Sequence, residues 1–164
     1  MLITHGTFVA GWLAIIGIPP FAGFFSKDEI LWLSVHSPYG HPLLWMMGII
    51  GAMMTAFYMT RLMALTFWGK SRVPANVHPH ESPLTMTIPL LVLGLLSLVG
   101  GWFGIPHVIG HLAHIPNFLE HWFEPSIASI PGLVPADAAK EWALMGISLS
   151  LAVLSAATAV VFYL

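Results

Sequence analysis

Four apolar segments separated by polar stretches organise the chain. They lie at about 7–35, 43–68, 84–105 and 142–164. A helix needs about 20 apolar residues to cross the hydrocarbon core of a bilayer, and the last three segments have that length. The pattern therefore predicts an all-α fold, a polytopic transmembrane helix bundle of about four spans, with residues 1–164 forming a single membrane segment.

The first apolar segment is too long for one straight span and is interrupted near its middle. Four helix-breaking residues lie there: Gly17, Pro19, Pro20 and Gly23. Proline removes a backbone donor and disfavours helix in the residue before it. Ser26 precedes Glu29 by three positions, a spacing typical of a capping box at a helix start. The sequence predicts two half-helices, about 7–18 and 26–35, with the break at Gly17–Phe25.

Composition supports a membrane protein and argues against several other classes. Hydrophobic residues make up 57% of the chain and charged residues only 7%, whereas soluble domains have about 25% charged residues. The net charge is −2 and no basic run occurs, which argues against nucleic acid as a partner. The chain has no cysteine, so disulfides and thiolate metal sites are excluded. Lipid is the expected surroundings.

The charged residues between the spans give the expected orientation in the membrane. The short stretch 69–83 carries Lys70 and Arg72 against Glu81, whereas the longest stretch, 106–141, is mostly acidic. An excess of Lys and Arg in short loops marks the cytoplasmic side. We therefore expect residues 69–83 inside and residues 106–141 outside.

The central candidate is a charged cluster within the broken first span. At a rise of 1.5 Å per residue, residues 27–36 extend ~14 Å, about half of a ~30 Å hydrocarbon core, which places Lys27 near the midplane. Burial and the positive end of a helix dipole would disfavour the charged lysine, whereas Asp28 and Glu29 favour it. We predict Lys27 as a proton relay with Asp28 as its partner. The alternative is that Lys27 snorkels to an interface and the acids only cap a helix.

A second polar stripe follows the second span. Thr55, Tyr58 and Arg61 recur at spacings of three, so a helix carries them on one face. The stripe is a possible polar path facing water or a partner helix. The alternative is that Arg61 snorkels to the cytoplasmic interface.

Histidines provide no clear metal or haem site. His107, His111 and His114 have helical spacing suited to a shared metal. No acidic or cysteine ligand accompanies them, so we interpret them as an interfacial cluster. No histidine lies mid-span to hold a haem between helices. We therefore expect no cofactor and no metal on this chain.

The fourth span carries small residues on one face, a pattern that favours close packing against another helix. These residues are Ser148, Ala152, Ser155, Ala156 and Ala159.

Three stretches carry a family resemblance. GIPPFAGFFSKDEIL at 17–31 closely resembles the broken-helix signature of the antiporter-like, proton-pumping subunit L family of bacterial NADH-quinone oxidoreductase, respiratory complex I. GAMMTAFYMTRLMALTFWGK at 51–70 and HESPLTMTIPLLVLGLLSLVGGWFGIP at 80–106 resemble the helices that follow it. The chain is similar to a C-terminal-half fragment of such a subunit.

The resemblance implies a role in the proton-translocating membrane arm of an NADH:quinone oxidoreductase. In the family, the lysine of the second broken helix belongs to the proton path, and it matches Lys27 here, with Asp28 beside it. NADH, FMN, iron–sulfur clusters and quinone are then expected on other subunits, with no redox chemistry on this chain. The implied partners are the other complex I membrane subunits, the lipid bilayer and protons. The implied location is the bacterial inner membrane, as a multi-pass protein.

Two alternatives remain open from the sequence. The chain also resembles subunits of multisubunit sodium/proton antiporters, which are transporters without redox coupling. A structural membrane module, in which Lys27 is only an assembly contact, is the other alternative.

Overall fold

The computed structural model describes residues 1–71, 73–74, 76–105, 109–110, 117–123, 125–126 and 137–164. Every regular element in these ranges is a helix, so the predicted all-α fold is confirmed for them. The helices are α1 (Leu2–Ile16), α2 (Ala22–His36), α3 (Pro42–Met63), α4 (Leu84–Val99), α5 (Phe118–Phe123) and α6 (Ala138–Tyr163). One π-helical turn, Ala64–Trp68, extends α3, and one 3-10 turn, Gly100–Phe103, extends α4.

Three of these helices are long and apolar enough to cross a membrane. They are Pro42–Trp68, Leu84–Phe103 and Ala138–Tyr163, close to the segments expected at 43–68, 84–105 and 142–164. The last helix begins four residues before the expected position because Asp137 caps it. The Asp137 side chain accepts a hydrogen bond from the amide of Ala139 at 3.2 Å, a typical N-cap contact.

The first segment is broken, but over a shorter stretch than expected. Helix α1 ends at Ile16 because Gly17 adopts the left-handed conformation, with φ of 87°. The amide of Ile18 donates to the carbonyl of Leu13, and that of Gly17 donates to Ala14, each at 3.1 Å. These two bonds form a Schellman motif, which closes a helix with glycine. The helix therefore ends before the prolines act on it.

The expected start of the second half-helix at Ser26 is wrong, because α2 begins at Ala22 and its N-cap is Phe21, which makes no side-chain cap bond. Packing of the first turn explains the difference. Phe24 and Phe25 are only 6% and 5% exposed, in a buried cluster that α2 shares with Ile105 and Met145. Burial of these rings stabilises helix upstream of the capping-box pattern.

Helix α6 packs through a continuous buried face, as its small residues predicted. Ala152 lies in a buried cluster with Ile16 of α1 and Ala56 of α3. The Ser155 hydroxyl donates to the carbonyl of Met53 at 2.6 Å, so α6 is joined to α3 by a polar contact as well as by small-residue packing. The face continues through four further buried residues: Glu141, Met145, Ser148 and Ala159.

Helix α1 is held by polar contacts at two levels. The indole of Trp12 donates to the hydroxyl of Thr60 on α3 at 3.1 Å, and Thr60 is fully buried. At the first turn, Glu81 accepts hydrogen bonds from the amides of Ile3 and Thr4 at 3.0 and 3.2 Å. The hydrogen bond from the Thr4 hydroxyl, followed by these amides, lowers the pKa of Glu81.

Candidate functional site

The helix break positions the ammonium of Lys27 against the end of α1. Nζ of Lys27 donates to the main-chain carbonyl of Ile16 at 2.5 Å. A helical carbonyl normally accepts from the amide four residues later, but here that residue is Pro20, which has no N–H. The proline thus leaves a carbonyl that the lysine side chain satisfies.

This geometry corrects the electrostatic expectation for Lys27. The sequence placed Lys27 at the positive N-terminal end of the second half-helix. Because α2 begins at Ala22, Lys27 lies in its second turn instead, and its ammonium contacts the carbonyl end of α1. That end carries the negative part of a helix dipole, which attracts a cation.

Lys27 also lines an open groove of about 520 Å³ along α1, α2 and α3. Its lining is mostly apolar, and its polar side chains are Ser26, Lys27 and Thr55. Lys27 is half-buried there. The groove is large enough to admit several water molecules to the lysine, given a water's share of ~30 Å³ in the liquid.

Asp28 lies on the other side of α2 and contacts α6. Neighbouring helix positions are turned by about 100° from each other, so Lys27 and Asp28 face different helices. Asp28 is only 6% exposed. Its Oδ1 accepts a hydrogen bond from the hydroxyl of Ser148 at 2.6 Å. Glu141 and Asp28 both line an enclosed cavity of about 10 Å³ beside this bond.

The possible polar path along α3 is divided by the structure. Thr55 lines the groove that holds Lys27, and its hydroxyl donates to the carbonyl of Gly51 at 2.7 Å. Tyr58 and Arg61 do not line that groove. Tyr58 is 53% exposed, and the Arg61 guanidinium lies over the ring of Tyr163, 5.3 Å from its centre. The structure thus brings only Thr55 of this stripe to Lys27.

Sequence reasoning missed two residues of the Asp28 environment. Ser148 was assigned to helix packing alone, and Glu141 to an acidic loop. They lie seven positions apart, two turns along one face of α6. That spacing, on the face already predicted to be buried, was the available signal.

The histidine cluster lies outside the described residues, since His107, His111 and His114 all fall in gaps between the described ranges. Among the residues that the structure does describe, no three His, Cys, Asp or Glu side chains are grouped to hold a metal ion.

Comparison with known proteins places the chain in a family. Residues 51–164 match the family model that describes the C-terminal transmembrane helices of a complex I NADH-dehydrogenase chain. NADH-quinone oxidoreductase subunit L of Mycobacterium tuberculosis is 42% identical over 128 residues, which cover 77% of this chain and 19% of the relative. NAD(P)H-quinone oxidoreductase chain 5 of Picosynechococcus is 47% identical over 126 residues, 65% of this chain and 18% of the relative.

A plant-type relative gives the same result. The chloroplastic NAD(P)H-quinone oxidoreductase subunit 5 of Chaetosphaeridium globosum is 41% identical over 134 residues, 77% of this chain and 19% of the relative. The chain spans about a fifth of the length of the curated relatives that it matches. The resemblance seen in the sequence is confirmed, and the chain belongs to the complex I family of antiporter-like membrane subunits, which includes subunit L and chain 5.

Proposed function

We propose that this chain forms part of the proton path in the membrane arm of an NADH-quinone oxidoreductase, with Lys27 as the group that takes up and releases the proton. Its relatives are named as subunits of NADH-quinone or NAD(P)H-quinone oxidoreductases. Its partners are then the other membrane subunits of that complex, lipid and protons. NADH, FMN, iron–sulfur clusters and quinone bind elsewhere in the complex, so this chain moves protons and performs no redox step. Its location is the bacterial plasma membrane.

The observation that carries this proposal is the placement of Lys27 in the helix break. The ammonium binds the Ile16 carbonyl at 2.5 Å on one side and borders the water-sized groove on the other. Protonated Lys27 is held by this carbonyl, whereas neutral Lys27 loses the charge-assisted part of the bond. The groove provides a route by which a proton reaches or leaves the amine. Ionisable groups within membrane helices are characteristic of proton relays.

A structural role is the second candidate, and the same contact favours it. Lys27 satisfies a carbonyl that Pro20 leaves without an amide donor. An unsatisfied carbonyl in hydrocarbon costs several kcal/mol. Lys27 would then act as a C-terminal cap that joins α1 to α2.

Two substitutions at Lys27 separate the roles. Lys27→Arg retains a charged donor but cannot release its proton at physiological pH, whereas Lys27→Met removes both donor and charge. Each is introduced at the chromosomal locus, so that the segment is expressed with its natural chain and complex. Proton uptake into inverted membrane vesicles, NADH oxidation and assembly on native gels are measured together.

The relay predicts that Lys27→Arg assembles normally but pumps as few protons per NADH as Lys27→Met. If Lys27→Arg pumps like the parent while Lys27→Met fails to assemble, the lysine is only a cap and the relay is wrong. Lys140→Met is the control, because Lys140 is an exposed lysine paired with Asp137 at 3.3 Å. This control should assemble and pump like the parent.

A further inference from the structure

We infer that Asp28, Ser148 and Glu141 form a second proton-transfer site between α2 and α6, in which Asp28 and Glu141 exchange a proton through one water molecule. The inference rests on the proposed proton path and extends it to the side of α2 opposite Lys27. Ser148 acts as a positioning residue and the two carboxyl groups carry the proton.

Burial is the first argument for this site. Asp28, Glu141 and Ser148 are 6%, 4% and 5% exposed. Acidic side chains are almost never fully buried without partners, because removing a charged group from water is costly. Here two acids from two different helices are buried at the same place. A shared proton lowers their combined charge and so makes the burial of both tolerable.

The enclosed cavity is the second argument. Asp28, Glu141 and Ser148 line it together with four largely apolar side chains: Leu31, Trp32, Leu144 and Met145. Its volume of about 10 Å³ lies at the lower limit for one water, which is ~10–15 Å³. A site of this size and polarity suits a single bridging water and excludes a longer water chain.

The two oxygens of Asp28 have different surroundings, and this difference shows where the proton resides. Oδ1 accepts from the Ser148 hydroxyl at 2.6 Å, which fixes the carboxyl group. Oδ2 is buried and has no hydrogen-bond partner among the described residues. A proton on Oδ2 turns this oxygen into a donor, and Oδ1 keeps its bond to Ser148. Glu141 also has a buried oxygen, Oε2.

The transfer step follows from this arrangement. The O–H bond of protonated Asp28 breaks and its proton passes to the water, while the water gives one of its own protons to the Glu141 carboxylate. Asp28 becomes a carboxylate, Glu141 becomes a carboxylic acid, and the water is regenerated. One proton moves from α2 to α6 without any oxidant or reductant.

Infrared difference spectroscopy tests the site directly. The assembled complex with its natural chain is driven by NADH in H₂O and in D₂O, and the carbonyl-stretch bands of protonated carboxylic acids are recorded. We expect a deuterium-sensitive pair of bands in the parent, of opposite sign for the acid that loses the proton and the acid that gains it. Asp28→Asn should abolish one band and Glu141→Gln the other. Bands that survive both substitutions would overturn the site.

Ser148→Ala tests the positioning role. Removing the hydrogen bond to Oδ1 should shift the Asp28 band to higher wavenumber and leave the Glu141 band in place. Ser150→Ala is the matched control, because Ser150 is an exposed serine of the same helix whose hydroxyl donates to its own helix at Gly146. An Asp28 band that responds identically to the two serine substitutions would show that Ser148 does not position it.

Failure of this site and failure of the Lys27 relay give different results. Normal pumping by Lys27→Arg removes the relay, whereas unchanged carboxylic bands in Asp28→Asn and Glu141→Gln remove only the carboxylate site. If Glu141→Gln prevents assembly, Glu141→Asp keeps a carboxylate and should shift the Glu141 band. An unshifted band in the assembled Glu141→Asp complex would overturn the assignment of that band to Glu141.

Discussion

The backbone of Gly23 in α2 lies directly against the main-chain carbonyl of Ala14 in α1. A Cβ atom at Gly23 would stand 1.8 Å from that oxygen. The contact joins the first turn of α2 to the last turn of α1. It therefore sets the distance over which Lys27 reaches the carbonyl of Ile16.

Gly23→Ala is expected to destabilise the fold, because the neighbouring atom is backbone and cannot rotate away. Overpacking of this kind costs about 1–3 kcal/mol of unfolding free energy. The free energy is measured by titrating the purified membrane protein with SDS. Gly11→Ala is the control, since nothing lies within 4 Å of a Cβ at Gly11, and it should be neutral or stabilising. Equal stability of the two variants would contradict the close approach.

Gly17→Ala is expected to strain the backbone and displace the lysine. An L-residue other than glycine pays about 1–2 kcal/mol in the left-handed conformation that Gly17 adopts. The added Cβ would also lie 3.1 Å from Nζ of Lys27. Gly17→Asn, which tolerates this conformation better, should lose less stability. Proton pumping per NADH and SDS unfolding are compared for both, and an alanine variant as stable as the parent would count against the Schellman cap.

Trp12 and Thr60 should be energetically coupled. The indole donates to a fully buried hydroxyl, which itself donates to the carbonyl of Ala56 at 2.7 Å. Interhelical hydrogen bonds in membranes are worth about 0.6 kcal/mol on average. A double-mutant cycle with Trp12→Phe and Thr60→Val should give a coupling of about that size in SDS unfolding. Additive effects of the two substitutions would show that the bond does not stabilise the α1–α3 contact.

Asp137 should make stability depend on pH in the acidic range. The hydrogen bond and charge of Lys140, together with the amide of Ala139, lower the pKa of Asp137. A carboxylate with a depressed folded pKa stabilises the fold above its ordinary pKa of ~3.9, and this stabilisation is lost as the pH falls through the folded value. Asp137→Asn keeps a capping side chain without the charge.

The thermal unfolding midpoints of the parent and Asp137→Asn are compared across this range. The parent should melt at the higher temperature at neutral pH, and the difference should shrink as the pH falls below ~4. A difference that grows on acidification would have the wrong sign for a depressed pKa. Lys140→Ala should remove part of the same pH dependence, because Lys140 is the main cause of the shift.

Long apolar segments were predictable from the sequence, and side-chain partners between helices were not. The segments expected at 43–68 and 84–105 lie close to the observed helices because length and hydrophobicity depend on the segment alone. The break near Gly17 was predictable from local residue types. The start of α2 was not, because burial of Phe24 and Phe25 against residues far along the chain outweighs the capping pattern at Ser26.

The candidate site shows the same division. Lys27 was found from its position in a break within a membrane span, a property of the local sequence. Its contact with the Ile16 carbonyl depends on how α2 folds back onto α1. The partnership of Asp28 with Ser148 joins residues 120 positions apart, and no local pattern indicates which serine meets which acid.

The buried face of α6 also makes its register a single unit. Its members, separated by alternating steps of four and three, are Glu141, Met145, Ser148, Ala152, Ser155 and Ala159. One residue inserted after Met145 would turn all later positions by about 100°. Ser148 would leave Asp28 at the same moment as Ser155 left Met53. The phase of this helix thus ties the carboxylate environment to the packing of the bundle, so neither can be altered by an insertion or deletion there without the other.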